Sequence, residues 1–160
     1  MKKKVLFIAS TGGHLNELMQ LKELFKYYDY HIVTEKTKTN VSLKDEYKDK
    51  IDFLIFGTKD HFLTYPFKFF INCLKSIRLY HKIKPEFIIT TGTHTAVPII
   101  FYAKLFHKKK TKVIFIETFA NSVTKTLSGK MIYKRADLFV VQWKSMQKLY
   151  PKATYGGWIY

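Results

Sequence analysis

Apolar residues along the chain fall into short blocks whose period changes from one block to the next. Val5 to Ala9 is an unbroken apolar run, as a parallel strand buried on both faces requires. After it Leu15, Leu18, Met19, Leu21 and Phe25 recur at helical spacing, with Glu17 expected in the first turn, where a carboxylate suits the positive end of the dipole. His31 to Thr34 predicts a second strand, Glu35 to Asn40 a polar loop, Lys44 to Lys50 a short exposed helix, and Phe53 to Phe56 a third strand stopped by Gly57. Pro85 precedes a fourth strand over Glu86 to Thr91; Ile99 to Phe106 reads as a helix with Pro98 near its start. Lys112 to Ile116 and Ala136 to Val141 complete the strands, with helices over Leu127 to Lys134 and Ser145 to Tyr150. Short apolar strands separated by crossover lengths predict one α/β, Rossmann-like domain, a parallel sheet flanked by helices, spanning 1–160.

One block departs from this rhythm. From Phe62 to Lys82, with Pro66 at the first helical position, Phe67, Phe70, Ile71, Leu74, Ile77 and His81 fall on one stripe, edged by Lys68, Lys75 and Lys82, with Arg78 close by. Phe62, Leu63, Tyr65, Phe69, Leu79 and Tyr80 add more apolar surface than one buried stripe needs. Such a helix suits a membrane interface, its lysine stems snorkelling and their heads meeting anionic lipid. An ordinary sheet-packing helix with a wet basic edge is the other reading.

Three strands deliver polar residues to a helix start. The first ends in Ser10-Thr11-Gly12-Gly13-His14, where paired glycines allow a tight turn and bring backbone N–H groups close to a phosphate or diphosphate. The fourth ends in Thr91-Gly92-Thr93-His94-Thr95, repeating glycine, hydroxyl and histidine. The fifth ends in Glu117-Thr118, and Glu117 is a candidate proton acceptor. Ligands of open parallel sheets collect at such strand ends. Each feature also has a structural reading: a tight turn for the glycines, capping or packing for His14 and His94, a cap or ion pair for Glu117. The G-x-G-x-x-G spacing of a dinucleotide site is absent.

Composition adds one strong constraint. The chain of 160 residues carries a formal charge of +16, which points to a polyanion: nucleic acid, anionic lipid or a phosphorylated substrate. With no zinc-finger spacing or RNP-like motif, nucleic acid is the weaker choice. The single cysteine, Cys73, fits a reducing compartment and reads as a buried thiol. No stretch reaches the uncharged length of a spanning helix, and Val5 to Ala9 is too short for a secretory core, so a peripheral protein is expected.

Taken in order, Ser10 to Leu15, Thr91 to Pro98, Ile116-Glu117-Thr118 and Gly156-Gly157 resemble the bacterial capsular and exopolysaccharide biosynthesis subunits related to the membrane-associated subunit of the dimeric UDP-N-acetylglucosamine transferase of dolichol-linked oligosaccharide synthesis. The resemblance covers nearly the whole chain and extends to the N-terminal half of the transferase that adds N-acetylglucosamine to the peptidoglycan lipid precursor. It implies the acceptor half of a GT-B glycosyltransferase, with the donor half on a separate partner chain. It implies also an inverting transfer from a UDP-sugar to a polyprenyl-diphosphate-linked sugar at the cytoplasmic face of the membrane, without metal or other cofactor. In that reading His14 is the base or acceptor-orienting group and Glu117 its rival. Ser10, Thr11, Gly12, Gly13, Gly92, Thr93, His94 and Thr95 hold the acceptor diphosphate, while Phe67, Lys68, Phe70, Ile71, Lys75 and Arg78 meet the membrane. Gly156, Gly157 and Trp158 meet the partner. A non-catalytic activator of that partner, or a basic Rossmann-like binder of nucleotide or nucleic acid, are the competing functions.

Overall fold

The computed structural model describes residues 1–57 and 65–159. Among these, seven strands pair parallel throughout: β1 (Lys4–Ile8), β2 (Asp29–Lys36), β3 (Ile51–Ile55), β4 (Phe87–Thr90), β5 (Lys112–Ile116), β6 (Leu138–Val141) and β7 (Thr154–Tyr155). Their order is β3-β2-β1-β4-β5-β6-β7, so the chain winds outward from β1 in one direction and then, from β4, in the other. That reversal opens a crevice between the carboxyl ends of β1 and β4. The helices are α1 (Gly13–Met19), α2 (Leu43–Tyr47), α3 (Tyr65–Ile83), α4 (Val97–Phe106), α5 (Leu127–Ile132) and α6 (Lys144–Leu149).

Each strand sends alternate side chains to opposite faces. Leu6, Ile8, Ile88, Val113, Phe115 and Val141 join one core with Tyr80, Ile99, Ile100, Ile132 and Met146 of α3 to α6. Val5, Phe7, Ile89, Ile116 and Val140 form the second core with Leu18 of α1. Past Met19 the helix tightens to a 3-10 form through Lys26 rather than continuing as predicted. Phe25 from this segment stacks on Tyr30 at 4.2 Å and meets Phe7 edge-on. Beside it, Val5, Leu24, Phe87, Ile89 and Ile114 line an open cavity of about 840 Å³.

Strand and helix positions match the sequence pattern, with ends displaced by a few residues. β7 is an addition: two residues carry no periodicity, and Thr154 and Tyr155 are held by pairing to Val140 and Val141. Glu17 is a correction. It is the fifth residue of α1, and its Oε1 accepts from the Thr118 hydroxyl at 2.7 Å and the Phe119 N–H at 3.0 Å. It ties α1 to the loop after β5 instead of complementing a dipole.

The stripe on α3 is turned outward. Phe67, Phe70 and Leu74 are more than half exposed. The buried side carries Asn72, Ser76, Leu79, Tyr80 and Ile83. Asn72 pairs with both backbone groups of Ile55, each at 2.8 Å, extending the edge of β3 like a strand and so satisfying a buried amide. Lys75 and Arg78 are exposed, while Lys68 and Ile71 are half-buried. Lys82, expected on the free basic edge, pairs with Asp52 at 2.7 Å. Cys73 is half-buried rather than fully enclosed, and burial pushes its thiol up. Phe62 and Leu63 lie outside the described residues. No helix among those described is long and apolar enough to cross a membrane.

Candidate functional site

Because β1, β4 and β5 are neighbours, the three polar turns of the sequence emerge side by side. Gly12 takes φ +83° and caps α1 without a side chain, so the first N–H groups of the helix have no side-chain acceptor from the cap. A Cβ at Gly12 or Gly13 would meet nothing within 4 Å, so open space lies before these donors. Thr11 joins the same rim through Asn40, whose amide donates to its hydroxyl at 3.2 Å and to the Glu35 carbonyl at 2.8 Å.

The turn after β4 is strained and firmly held. Gly92 adopts φ +109°, which a glycine tolerates, but Thr93 adopts φ +83°, a conformation a β-branched residue rarely takes. Two hydrogen bonds fix it: the Ser10 N–H donates to the Thr93 hydroxyl at 3.2 Å, and the Thr93 N–H donates to the Ser128 hydroxyl at 3.1 Å. Thr93 therefore locks the β1 turn to α5. Thr95 is buried with its hydroxyl unpartnered.

His14 sits where the first two turns meet. Its Nδ1 lies 2.9 Å from the Thr91 carbonyl, and the Thr91 hydroxyl donates to the His14 carbonyl at 2.7 Å. A carbonyl only accepts, so Nδ1 carries a hydrogen, and in the neutral ring the lone pair falls on Nε2. The ring is 29% exposed, and Glu17 Oε2 lies 3.8 Å from Nδ1. A neutral imidazole oriented in this way can accept a proton from a hydroxyl.

His94 stands 40% exposed on the opposite rim, its Nε2 3.2 Å from Oε1 of Glu35, which is buried. Glu35 was not distinguished by sequence, and Glu17 was read there only as a first-turn carboxylate. In the sequence, a carboxylate straight after the apolar residues of β2 was the available signal for Glu35.

Glu117 is placed differently from His14. It is 1% exposed, and Thr126, the cap of α5, donates its hydroxyl to the carboxylate at 2.9 Å. Burial pushes its carboxyl up, against the opposing Thr126 hydrogen bond. Burial and the adjacent Glu117 charge together push the Tyr150 phenol up as well. A base must reach the proton it removes. Glu117 is closed in beneath α5, whereas the His14 ring is partly exposed, so of the two candidate bases His14 is the more accessible.

A basic and apolar surface lies on the side of the sheet covered by α3, α4 and α5. Besides the α3 stripe it includes Leu105 and Phe106 of α4 and Leu127 of α5, all more than 60% exposed. A groove of about 540 Å³ between α3 and α4 has Ile77, Phe101 and Phe106 among its apolar walls and Lys104, Lys108, Lys134 and Arg135 at its basic ones. Its contributions from α4 and α5 were not part of the sequence expectation. At the far end of the sheet Trp158, 72% exposed, packs edge-on against Phe119, and Gly157 takes φ +66°. Gly156 is closed in by Val140 and Ile159. Among the described residues no group of three or more His, Cys, Asp or Glu is arranged to hold a metal.

Residues 5–159 match the family described as "Oligosaccharide biosynthesis protein Alg14 like". The chain is 25% identical to the UDP-N-acetylglucosamine transferase subunit ALG14 of Rattus norvegicus, over 96% of this chain and 81% of that protein. With the ALG14 of Schizosaccharomyces pombe it shares 28% identity, over 98% of this chain and 83% of the relative. Among solved structures, MurG of Acinetobacter baumannii superposes with a TM-score of 0.71 at 18% identity, over 89% of this chain and 42% of that one. A UDP-N-acetylglucosamine 2-epimerase of Rickettsia bellii gives 0.68 at 16% identity, over 92% of this chain and 41% of the epimerase. The chain thus spans about two fifths of these two solved chains, and at such identity they establish the fold alone.

Proposed function

The chain belongs to the Alg14-like family of oligosaccharide biosynthesis proteins, and from that premise we propose that it is the acceptor-binding subunit of a two-chain glycosyltransferase. It binds a polyprenyl-diphosphate-linked sugar at the membrane surface and docks a partner that holds the UDP-sugar. The observation that carries this reading is the meeting of the Gly12-Gly13 turn, the strained Thr93 turn and His14 in one crevice, beside an exposed surface both apolar and basic.

Each part has a task in that chemistry. The diphosphate lies against the free N–H groups at Gly13 and His14 and the hydroxyls of Ser10, Thr11 and Thr93, with His94 opposite and Thr95 enclosed behind the turn. His14 Nε2 takes the proton of the acceptor hydroxyl as its oxygen attacks the anomeric carbon of the donor and UDP departs on the other side. One displacement inverts the configuration, and no covalent enzyme intermediate forms. The partner supplies the leaving-group contacts and covers Trp158 and the open cavity over Val5, Ile89 and Ile114. The surface of α3, α4 and α5 meets anionic lipid on the cytoplasmic face. The likeness of the turn motifs to capsular and exopolysaccharide subunits supports a cell-surface polysaccharide as the product's destination.

The test is transfer of labelled N-acetylglucosamine from UDP to a polyprenyl-diphosphate-linked sugar by the chain co-purified with its donor-half partner. Activity that requires both chains and is lost on His14→Asn supports the proposal. Equal activity from the partner alone overturns it, and undiminished activity with His14→Asn leaves a non-catalytic activator in its place.

A further inference from the structure

We propose that a cavity between the start of α3, the His94 turn and α5 holds the isoprene units nearest the diphosphate of the lipid acceptor. The inference rests on the acceptor reading above and deepens it. The cavity has a volume of about 300 Å³ and a lining of two kinds. Tyr65, Phe69, Val97, Leu127 and Met131 form the apolar walls. Thr93, His94 and Ser128 form the polar ones.

Hydrogen bonding among the polar walls leaves donors to spare. Thr93 Oγ1 accepts from the Ser10 N–H and Ser128 Oγ accepts from the Thr93 N–H, so both hydroxyl protons remain to be donated. Two hydroxyl donors and an imidazole suit phosphate oxygens. The strain held at Thr93 sets these donors at the junction between crevice and cavity.

Two of the apolar walls also belong to the exposed surface. Leu127 is 66% and Met131 38% exposed, and both are cavity walls as well. Polar donors, aromatic and aliphatic walls and two residues of the exposed surface therefore line one cavity. A nucleoside or a second sugar would leave its own polar groups unpaired against Phe69, Val97 and Met131. A branched hydrocarbon joined to an anionic head matches that lining. Ligand cavities run from about 300 to 1,000 Å³. This one is at the small end, enough for the first part of a polyprenyl chain whose remainder stays in the bilayer.

The probes are farnesyl diphosphate and inorganic pyrophosphate, titrated calorimetrically into the full chain below the concentration at which farnesyl diphosphate forms micelles. Farnesyl diphosphate is expected to bind at least tenfold more tightly. It should shift the Met131 methyl resonance while leaving that of buried Met146 in place, which pyrophosphate should not do. Met131→Trp and Leu127→Trp, both at exposed positions, should reduce farnesyl diphosphate to the affinity of pyrophosphate. Equal affinities for the two probes in the unaltered chain overturn the cavity assignment and leave the diphosphate site standing. Tighter farnesyl binding that neither tryptophan disturbs also overturns it, since the tail then lies elsewhere. Binding of neither probe overturns the acceptor reading together with the cavity.

Discussion

Glu35 and His94 join two strands that are not neighbours. Oε1 of Glu35, at the end of β2, lies 3.2 Å from Nε2 of His94 in the turn after β4, and β1 lies between those strands. The contact thus spans the end of β1, over the turn that opens the crevice. Glu35 is 2% exposed, so removing it deletes a buried partner rather than a surface charge. In spite of its approach to His94, Glu35 Oε1 has no hydrogen-bond partner among the described residues, so Glu35→Ala removes an unpartnered desolvated carboxylate and is expected to leave stability in urea unfolding unchanged or higher. It should also lower transfer by the two-chain enzyme, because His94 loses the contact that orients it. Undiminished transfer would mean that the contact orients nothing the reaction needs.

The outward stripe of α3 gives a prediction with two separable parts. Lys75 and Arg78 are exposed. Changing both to Glu should weaken flotation with anionic vesicles by at least fivefold for each charge removed, and this loss should vanish in high salt. Phe70→Ser with Leu74→Ser should weaken flotation with anionic and with neutral vesicles alike, since it removes the apolar contribution. Flotation indifferent to both pairs would return α3 to the role of an ordinary flanking helix.

Much of this arrangement was legible in the sequence, and the parts that were not share a cause. β1 and its turn stood out because an unbroken apolar run followed by Gly12-Gly13-His14 has few local alternatives. The α3 stripe was correctly found by period, yet period cannot say which side faces the sheet. That was decided by Asn72, whose two hydrogen bonds to Ile55 depend on where β3 ends. Glu117 is the same kind of case. A carboxylate at a strand end gives no local sign that Thr126, nine residues on, donates to it and that it is closed in beneath α5. Glu17 and Glu35 act through partners 101 and 59 residues away in sequence (118 − 17 and 94 − 35), and no local pattern carries such pairings.

The burial of Glu117 makes stability depend on pH with a definite sign. Its carboxyl is raised above the ordinary value of 4.5, so between that value and the raised one the folded chain binds more protons than the unfolded chain. This residue's contribution therefore falls as pH rises through that window and is level above it. Glu117→Gln keeps the shape and an acceptor for Thr126 but cannot ionise. Measured by urea unfolding from pH 4 to 8, the stability of the variant relative to the unaltered chain should rise from pH 4.5 upward and then level off. A difference that stays flat would mean that the carboxylate is not desolvated.

Gly129 tests the same cluster by volume. A Cβ there would collide with Glu117 Oε2, the Tyr150 hydroxyl and Thr126 Oγ1. Glu117 Oε2 and Thr126 Oγ1 are hydrogen-bonded to each other and Thr126 Oγ1 also accepts from the Gly129 N–H, while the Tyr150 side chain is fully buried, so none moves aside freely. Gly129→Ala should therefore destabilise by about 1 to 3 kcal/mol in spite of alanine's better helix propensity. Because α5 carries Ser128, the loss should reach Thr93, whose N–H donates to the Ser128 hydroxyl. Thermal unfolding checks the first effect and pyrophosphate binding the second. A variant more stable than the parent would show that the helix can shift.

His14 offers the sharpest separation of chemistry from architecture. Its Nδ1–H holds the Thr91 carbonyl at 2.9 Å, and its Nε2 is the group assigned to the acceptor proton. Asparagine at this position places an amide N–H near Nδ1 but puts no basic nitrogen where Nε2 stood. His14→Asn should therefore preserve the turn, the partner complex and vesicle flotation while slowing transfer by about 10²- to 10⁴-fold, the range general base catalysis contributes. Since the loss is confined to the proton transfer, it should fall on kcat, with KM for the lipid acceptor little changed. A rise in KM with kcat retained would instead make His14 a binding group, and the proton would have to leave through a residue of the partner.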